Sequence, residues 1–261
     1  MPAVTTEALT KQYGDATALD GLSLSVSEGA CYGLLGPNGS GKTTAIEILT
    51  GQREPTAGTA SVLGVDPVAD PIEVRRRIGV LPEREDPPSF LSPREYLRFV
   101  ADVRGLDDPV DRIGTWARRF EFEGVLDSLS GDLSEGERQR VMLAAAFVQE
   151  PDLVFIDEPL VNLDPLMQET VTDHLADYCN RGHTLFLSTH FVPGAADLCT
   201  EVGIVVDGRL AAAPDPAALD GDTLLETFTA EVEAADGGSD RTTAQAGDGG
   251  PSPGDPSDGG R

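Results

Sequence analysis

A glycine-rich segment with the letters GPNGSGKT runs from Gly36 to Thr43. It follows an apolar stretch typical of a buried strand and precedes a stretch typical of a helix. Glycines allow the backbone to curl so that successive N–H groups and the helix N-terminus surround phosphate oxygens. Lys42 is placed to reach the outer phosphates of a nucleotide, and the Thr43 hydroxyl is placed to bind Mg²⁺. The predicted phosphate site consists of Gly36, Pro37, Asn38, Gly39, Ser40, Gly41, Lys42, Thr43 and Thr44.

Two carboxylates end an apolar run near the middle of the chain. In LVFIDEP, Asp157 and Glu158 follow four apolar residues, as at the carboxyl end of a buried parallel strand. Open α/β sheets bind ligands at that edge, which makes Asp157 a candidate Mg²⁺ ligand and Glu158 a candidate base that polarises water. The alternative is a strand that simply ends in solvated acids. The phosphate loop upstream favours the site.

Two further side chains are candidates because of their position. His190, in FLSTH, ends the next predicted strand and so lies at the same edge of the sheet. A contact to the terminal phosphate is favoured there over a packing role. Tyr13, in KQYG, lies ahead of the first strong predicted strand. Its ring could stack on a base, or it could be an ordinary aromatic residue of a turn.

The stretch DLSEGERQR, residues 132–140, has two interpretations. Ser134 followed by Glu137 is the pattern of a capping box, which closes the start of a helix. The N-terminus of that helix, with the N–H of Gly136, is also suited to a phosphate. We expect both, because the cap builds the site. Glu135 is required neither for the cap nor for phosphate binding. A carboxylate about 4 Å from a phosphate costs on the order of a few kcal/mol of electrostatic repulsion.

The apolar pattern predicts an α/β fold. After a β-rich opening, buried strands alternate with helices, which implies a parallel sheet covered on both faces. Residues from about 84 to 150 show helical periodicity, and we expect them to form a helical insert at the edge of the sheet. Residues 234–261 contain no Leu, Ile, Val or aromatic residue, which predicts a disordered acidic tail behind a domain of residues 1–233.

The charge of the chain is unusual. Its 261 residues include 45 acidic and 19 basic ones, for a net charge of −26, and Lys11 and Lys42 are the only lysines. Such a chain is repelled by nucleic acid and anionic lipid, so neither is an expected partner. High acidity with scarce lysine predicts a salt-loaded cytoplasm, where screening reduces self-repulsion. We expect no leader, no direct lipid insertion, and neither disulfides nor zinc from the three cysteines.

These motifs together resemble the ATP-binding subunits of ABC transporters. Tyr13, GPNGSGKTT, DLSEGERQR, LVFIDEPLVNLDP and STH occur in that family's order over roughly residues 4–230. The letters GLSLSV, YGLLGPNG and LVNLDP are most similar to the subunits that serve drug-type and ABC-2-like exporters. The resemblance implies a P-loop NTPase (RecA-like) core with a mainly parallel sheet, an N-terminal antiparallel β subdomain and an inserted α-helical subdomain.

The resemblance also assigns roles. It implies two subunits arranged head to tail, with ATP and Mg²⁺ between them, driving a membrane-embedded permease chain. Asp164 would cross the dimer interface, and Ser134 and Gly136 would meet the γ-phosphate bound by the other subunit. The remaining roles are adenine stacking by Tyr13, phosphate binding by residues 36–44, Mg²⁺ binding by Thr43 and Asp157, proton abstraction by Glu158, and γ-phosphate contact by His190.

Three glutamates depart from the family pattern. Glu83 stands where the family usually has Gln; it can still bind a cation or accept from water, but it adds negative charge beside a triphosphate. Glu135 and Glu137 replace the Gly and Gln of the usual LSGGQ signature. Glu137 has a place in the capping box, whereas Glu135 has to point away from the phosphate or be screened by a cation.

We therefore expect an ATPase subunit that serves export and is bound through its permease to the cytoplasmic face of the cell membrane. The resemblance implies that it acts as a homodimer. One alternative is a soluble ABC-type ATPase of translation or repair, but those usually have two nucleotide domains or long inserts. The other is a regulatory subunit that binds ATP with little hydrolysis, which the three glutamates favour.

Overall fold

The computed structural model describes residues 2–83, 85–160, 163–214 and 221–242. Within these residues, strands and helices alternate for most of the chain. The strands are β1 (Pro2–Tyr13), β2 (Ala16–Ser27), β3 (Cys31–Leu35), β4 (Ala57–Val62), β5 (Ile78–Leu81), β6 (Leu153–Asp157), β7 (Thr184–Thr189), β8 (Glu201–Val206) and β9 (Arg209–Ala212). The α-helices are α1 (Lys42–Leu49), α2 (Pro71–Arg77), α3 (Pro93–Val103), α4 (Val110–Arg119), α5 (Glu135–Phe147), α6 (Pro165–Asn180), α7 (Val192–Leu198) and α8 (Gly221–Thr242).

The N-terminal residues form an antiparallel three-stranded sheet in the order β2-β1-β4. Exposed and buried side chains alternate at the end of β2, as the apolar pattern predicts. The expectation that Tyr13 lies ahead of the first strong strand is wrong, because Tyr13 is the last residue of β1. Register shifts interrupt the pairing of β1 with β2, and Ala8 has a left-handed φ of 48°, so burial along β1 does not alternate.

The second sheet has six strands in the order β5-β6-β7-β3-β8-β9. Neighbouring strands are parallel except β8 and β9. Every residue of β3, β6 and β7 is buried, because hydrophobic clusters cover both faces of the sheet. This confirms the predicted α/β fold. Since β7 lies between β6 and β3 and all three are parallel, their carboxyl ends meet at one edge.

Helices α3, α4 and α5 form a lobe between β5 and β6. Its core is aromatic: the ring centroid of Trp116 lies 5.5 Å from that of Phe120 and 5.3 Å from that of Phe147. Helix α3 begins with a capping box, in which Ser92 N–H donates to the Glu95 carboxylate over 2.9 Å. Helix α5 contacts β5 and so joins the lobe to the edge of the sheet.

The C-terminal helix α8 packs against α7 and β8, and its residue Leu224 is buried. The predicted start of the disordered tail at residue 234 is wrong, because α8 continues to Thr242. Extending an existing helix costs less free energy than starting one, so α8 can continue through residues that bury little. Residues 243–261 of the predicted tail lie outside the described residues. No helix in the described part of the chain is long and apolar enough to cross a membrane.

Candidate active site

The loop between β3 and α1 is enclosed by two neighbouring strands. A side chain at Gly36 would lie 2.4 Å from the carbonyl oxygen of Val205, on β8, and one at Gly41 would lie 2.4 Å from that of Ala18, on β2. Gly41 also has a φ of 102°, a conformation that favours glycine. Glycine at these two positions therefore allows the loop to pass between β2 and β8.

Lys42, the first residue of α1, directs its ammonium back onto this loop. Its Nζ donates to the carbonyl oxygen of Gly36 over 2.8 Å and to that of Pro37 over 3.2 Å. Burial lowers the pKa of Lys42. Three carboxylates act against that shift: those of Glu158, Asp157 and Glu83. The ammonium is thus held inside the loop, close to the acidic side of the site.

The loop has the polar groups that a nucleotide phosphate needs. The Ser40 hydroxyl oxygen is buried and has no hydrogen-bond partner among the described residues. A buried polar group without a partner is rare in proteins, but Ser40 itself does not line the cavity. Lys42 does line it, together with Gly39 and Gly41, and an ammonium beside a glycine-rich loop is complementary to an oxyanion. The residues present therefore fit a nucleotide phosphate at the start of α1.

Asp157 ends β6, and Ser188 lies beside it on β7 in parallel register. The Ser188 hydroxyl donates to Asp157 Oδ1, and the Thr43 side chain also bonds to this carboxylate. Burial raises the pKa of Asp157. These two hydrogen bonds oppose the rise, and the carboxylates of Glu83 and Glu158 add to it. A buried carboxylate beside a hydroxyl and two further acids is a suitable environment for a hard cation.

The donor set fits Mg²⁺ rather than a metal held by protein ligands alone. No group of three or more His, Cys, Asp or Glu in the described part of the chain is arranged to hold a metal ion. Magnesium in nucleotide sites usually takes one or two protein ligands and completes its shell with phosphate oxygens and water. Thr43 and Asp157 can supply those protein ligands.

Glu158 is held by the last residue of β7, Thr189, and by the residue after it, His190. Its Oε2 accepts from Thr189 Oγ1 over 3.0 Å, and its Oε1 accepts from the backbone N–H of His190 over 3.1 Å. The Nδ1 of His190 also lies 2.8 Å from Oε1. The backbone of Glu158 has a φ of 51°, a strained conformation for a non-glycine residue that is found mainly at functional sites. The carboxylate is thus fixed in direction.

These elements enclose one cavity of about 450 Å³. Its lining contains Ala18, Asn38, Gly39, Gly41, Lys42, Thr43, Thr44, Glu83, Asp157, Glu158 and His190. The structure therefore brings together the predicted phosphate loop, the two carboxylates after β6 and the histidine after β7. Gly36, Pro37 and Ser40 belong to the same loop but lie behind its surface.

The structure does not place Tyr13 in the cavity lining. Its side chain is partly exposed at the end of the β1–β2 hairpin, where Tyr13 pairs with Ala16. Two cations lie over its ring: Lys11 Nζ is 5.2 Å and the Arg53 guanidinium carbon 5.5 Å from the ring centroid. Cations stabilise an aromatic face electrostatically. Stacking on a base stays a prediction.

Ser134, Gly136 and Glu137 lie at the start of α5, outside the cavity lining. The predicted capping box is confirmed: Ser134 N–H donates to Glu137 Oε2 over 2.8 Å, and Glu137 N–H donates to Ser134 Oγ over 3.3 Å. The Ser134 hydroxyl and backbone N–H lower the pKa of Glu137. Ser134 and Glu135 are both exposed, so this helix start faces outward.

Asp164 also caps a helix. Its carboxylate accepts from the backbone N–H of Leu166 over 3.1 Å and of Met167 over 3.0 Å, at the start of α6. It is exposed and does not line the cavity. The predicted interface residues Ser134 and Asp164 therefore share one arrangement, an exposed side chain that terminates its own helix.

Three residues of the site are not predicted from the sequence. Ala18 lines the cavity from β2, while Ser188 bonds Asp157 and Thr189 bonds Glu158. Ser188 and Thr189 directly precede His190, so the polar run at the end of an apolar strand was the available signal. Ala18 carries none, because its place depends on how the two sheets pack.

The arrangement can bind a triphosphate at a helix start and hold a fixed carboxylate beside it. Lys42 and the loop supply positive potential, and Glu158 is directed by Thr189 and His190. A carboxylate that accepts several hydrogen bonds can still accept a proton from water when that water is held against a phosphorus atom. Phosphoryl transfer to water is therefore the chemistry that these groups support.

Known proteins share both the sequence and the fold. Residues 19–161 match the family model described as ABC transporter. The chain is 36% identical over 211 residues to "Nod factor export ATP-binding protein I" of Burkholderia orbicola, covering 80% of this chain and 69% of that protein. It is 33% identical over 210 residues to "Probable multidrug ABC transporter ATP-binding protein YbhF" of Escherichia coli, covering 80% of this chain and 36% of that protein.

Solved structures agree with the sequence relatives. One described as the ATP binding subunit of an ABC transporter superimposes with a TM-score of 0.79 at 30% identity, covering 87% of this chain and 99% of that one. A dimeric ATP-binding cassette in a post-hydrolysis state, bound to ADP and Pi, shares the fold with a TM-score of 0.76 at 22% identity over 82% of this chain and 98% of its own. The chain therefore belongs to the ABC transporter family, as an ATP-binding and ATP-hydrolysing subunit.

Proposed function

We propose that this ATPase works as a head-to-tail homodimer that binds a separate membrane-embedded permease and powers export. The observation that carries the proposal is the division of the predicted residues into two sets. One set lines the cavity, whereas Ser134, Gly136 and Asp164 lie outside it at exposed helix starts. A second copy would bring its own exposed helix start to the open side of the cavity.

Within one chain, the proposed mechanism uses the residues that line the cavity and those that bond to them. The loop N–H groups and Lys42 bind the β- and γ-phosphates, and His190 contacts the γ-phosphate. Glu158 orients the attacking water and receives its proton, while Thr189 holds the other carboxylate oxygen in place. Thr43, Asp157 and Glu83 would hold Mg²⁺, which supplies charge neutralisation on the phosphate oxygens when bound.

Between two chains, the start of α5 would provide the missing donors. The N–H groups of its first turn, including that of Gly136, carry partial positive charge. The capping box uses the N–H groups of Ser134 and Glu137 and does not use that of Gly136. The dimeric neighbour supports an assembly of this kind. Glu135 lies exposed in the same turn, where we expect it to face away from the phosphate.

The export direction and the permease rest on the named relatives. Two of them, from different bacteria, are named for export or multidrug transport. We infer the permease from these names, because transport across a membrane requires a membrane-spanning chain. We place the complex on the cytoplasmic face of the cell membrane, with the lobe of α3, α4 and α5 contacting the permease.

The charge of −26 supports work in concentrated salt. Among the described residues, the arginine ion pairs use few of the 45 acidic side chains; they are those of Arg53, Arg94, Arg112, Arg138 and Arg209. Most of the remaining negative charge repels itself, and that repulsion falls as the Debye length shortens from about 10 Å at 0.1 M to about 3 Å at 1 M salt. We propose a salt-rich cytoplasm as the working environment.

Glu158→Gln tests the enzymatic core of the proposal. The amide keeps an acceptor for Thr189 but cannot receive a proton from water, so we expect ATP binding to persist and turnover to fall by about 10²–10⁴-fold, the typical contribution of a general base. ATP hydrolysis is measured by phosphate release and ATP binding by a fluorescent nucleotide titration. Glu123→Gln, an exposed residue of the lobe, is the matched control.

The same variant tests the dimer. With hydrolysis blocked, ATP is expected to convert the Glu158→Gln chain from monomer to dimer, which analytical ultracentrifugation measures. Undiminished phosphate release would remove Glu158 from its role as base. If the wild-type chain binds ATP but does not hydrolyse it, and if neither it nor the variant dimerises, the protein would instead be a regulatory subunit.

A further inference from the structure

A short segment, Asp86–Leu91, connects the cavity to the start of α5. It begins three residues after Glu83, which lines the cavity. Two backbone hydrogen bonds attach it to the residues before α5: Ser130 N–H donates to the Leu91 carbonyl over 2.9 Å, and Gly131 N–H donates to the Ser89 carbonyl over 3.1 Å. The segment and the approach to Ser134 are therefore joined along their backbones.

The join is tightly packed. Ser130 is fully buried, and a side chain at Gly131 would lie 3.2 Å from both the Cβ and the carbonyl oxygen of Ser89. That is closer than an ordinary van der Waals contact. The Asp86–Leu91 segment and residues 130–131 therefore cannot shift along each other without breaking the two backbone hydrogen bonds between them. On the other side of the segment, Phe90 is 76% exposed. A displacement at Phe90 is therefore passed to residues 130–131.

Arg138 makes the second link. Its Nε donates to Asp86 Oδ1 over 3.1 Å, and its Nη1 donates to the carbonyl oxygen of Leu133, the residue just before Ser134. One guanidinium thus bonds both the segment and the backbone that enters the capping box. The planar group fixes the direction of both bonds, which a lysine ammonium would not do. The Arg138 side chain is three-quarters buried, whereas Asp86 is largely exposed.

We propose that Arg138 is a positioning residue, which holds the start of α5 at a fixed position relative to the Asp86–Leu91 segment. The inference rests on the proposed dimer, in which the start of α5 meets the nucleotide of the second subunit. A change at Glu83 or at Phe90 then alters the position of the Gly136 N–H in the same movement. Arg138 itself touches neither nucleotide nor water, so it acts through α5.

The test measures ATP-dependent dimerisation in the Glu158→Gln background of the full chain. Arg138→Gln and Asp86→Asn are each expected to raise the dimer dissociation constant by about 25-fold. The proposed dimer contains two copies of the start of α5, and each contributes about fivefold, which is the upper end for a partly exposed ion pair. The double variant is expected to be no worse than Arg138→Gln alone, because both changes break one link. Arg138→Lys is expected to recover only part of the loss.

Two readouts separate positioning from folding. The affinity of the monomer for a fluorescent ATP analogue is expected to stay at its Glu158→Gln value, since it does not depend on the second subunit. The Tm is expected to fall by no more than it does in the Arg94→Gln variant, which also loses one ion pair of the lobe. Arg94→Gln is the matched control, because Arg94 pairs over 2.7 Å with Asp127, and neither residue belongs to the Asp86–Leu91 segment or to α5. It is expected to leave dimerisation unchanged.

The outcomes decide both questions. Suppose that the parent chain dimerises with ATP. The positioning role is overturned, and the proposed function stands, if Arg138→Gln dimerises equally well, if Arg94→Gln weakens dimerisation by as much, or if the Tm of Arg138→Gln falls in proportion to its loss of dimerisation. Additive losses in the double variant overturn it as well. If the parent chain binds ATP and never dimerises, the proposed dimer fails and the inference fails with it.

Discussion

Replacing Asp157 with Asn is expected to stabilise the nucleotide-free chain although it removes a residue of the active site. Asp157 is 2% exposed, and burial raises its pKa, as do the carboxylates of Glu83 and Glu158. A raised carboxyl pKa means that the ionised form is less favourable in the folded chain than in the unfolded one. Asn removes the charge and keeps an oxygen that can accept from Ser188.

The size of the effect follows from the burial. A buried group whose desolvation is not fully compensated costs about 1–3 kcal/mol, and the bonds from Ser188 and Thr43 place Asp157 at the lower end, about 1–2 kcal/mol. For a chain of this size, that corresponds to a rise in Tm of about 2–8 °C. The same substitution removes a predicted Mg²⁺ ligand and is expected to abolish Mg²⁺-dependent hydrolysis.

The pH dependence has a definite sign. The wild-type chain gains stability as the pH falls through the raised pKa of folded Asp157, because the folded state then binds the proton more readily than the unfolded state. The advantage of the Asn variant is therefore fully present at neutral pH. It shrinks on acidification and vanishes below the ordinary carboxyl pKa of 3.8, where both states are protonated.

Calorimetric melts of nucleotide-free protein between pH 5 and pH 8 measure this, at one fixed salt concentration. Asp152→Asn is the matched control, since Asp152 is exposed and directly precedes the same strand. It is expected to leave the Tm unchanged. A Tm for Asp157→Asn at or below the wild-type value at neutral pH, or an advantage that widens on acidification, would refute the reasoning.

Two further pairs of variants test the loop and the caps. Gly41→Ala places a Cβ 2.4 Å from the Ala18 carbonyl oxygen at a φ of 102°, whereas Gly39→Ala meets nothing within 4 Å at a φ of 82°. Both are expected to lose about 1–3 kcal/mol from backbone strain, with an added loss for Gly41→Ala alone, so equal thermal melts would contradict the packing described. Asp164→Ala is expected to lower the free energy of unfolding by about 1 kcal/mol and Asp164→Asn by much less, because Asn also caps helices. Denaturant titrations compare the last two, and equal losses would exclude capping by Asp164.

Local chemistry made much of the fold predictable. Helix α6 begins at Pro165 with Asp164 as its cap, and both residues mark a helix start by their own side chains. The capping box of Ser134 and Glu137 is likewise settled within four residues. Interactions between neighbours in sequence need no knowledge of the tertiary structure, so they can be inferred from the letters alone.

Long-range packing limited the rest. The strand β1 escaped detection because its pairing with β2 shifts register, which removes the alternation on which strand prediction depends. The bond from Ser188 to Asp157 requires β6 and β7 to be neighbours, which is a property of the sheet order. The approach of Ala18 to Gly41 requires two sheets to meet. The polar run at the end of β7 indicates that Ser188 lies at the site, but no residue type indicates which strand or loop each of these residues contacts.

The enclosure of the phosphate loop has a consequence for how nucleotide binds. The Gly208 N–H donates to the Ser40 carbonyl over 3.0 Å, and the Asp20 N–H donates to the Gly208 carbonyl over 2.9 Å, so β2 and the β8–β9 turn support the loop from outside. These bonds fix the loop backbone without any contribution from nucleotide, so binding loses little conformational entropy there. A bound phosphate would compete with the carbonyl oxygens of Gly36 and Pro37 for the Lys42 ammonium. The loop is thus a rigid receptor, and the movements of a catalytic cycle fall to the lobe and to its joined segment.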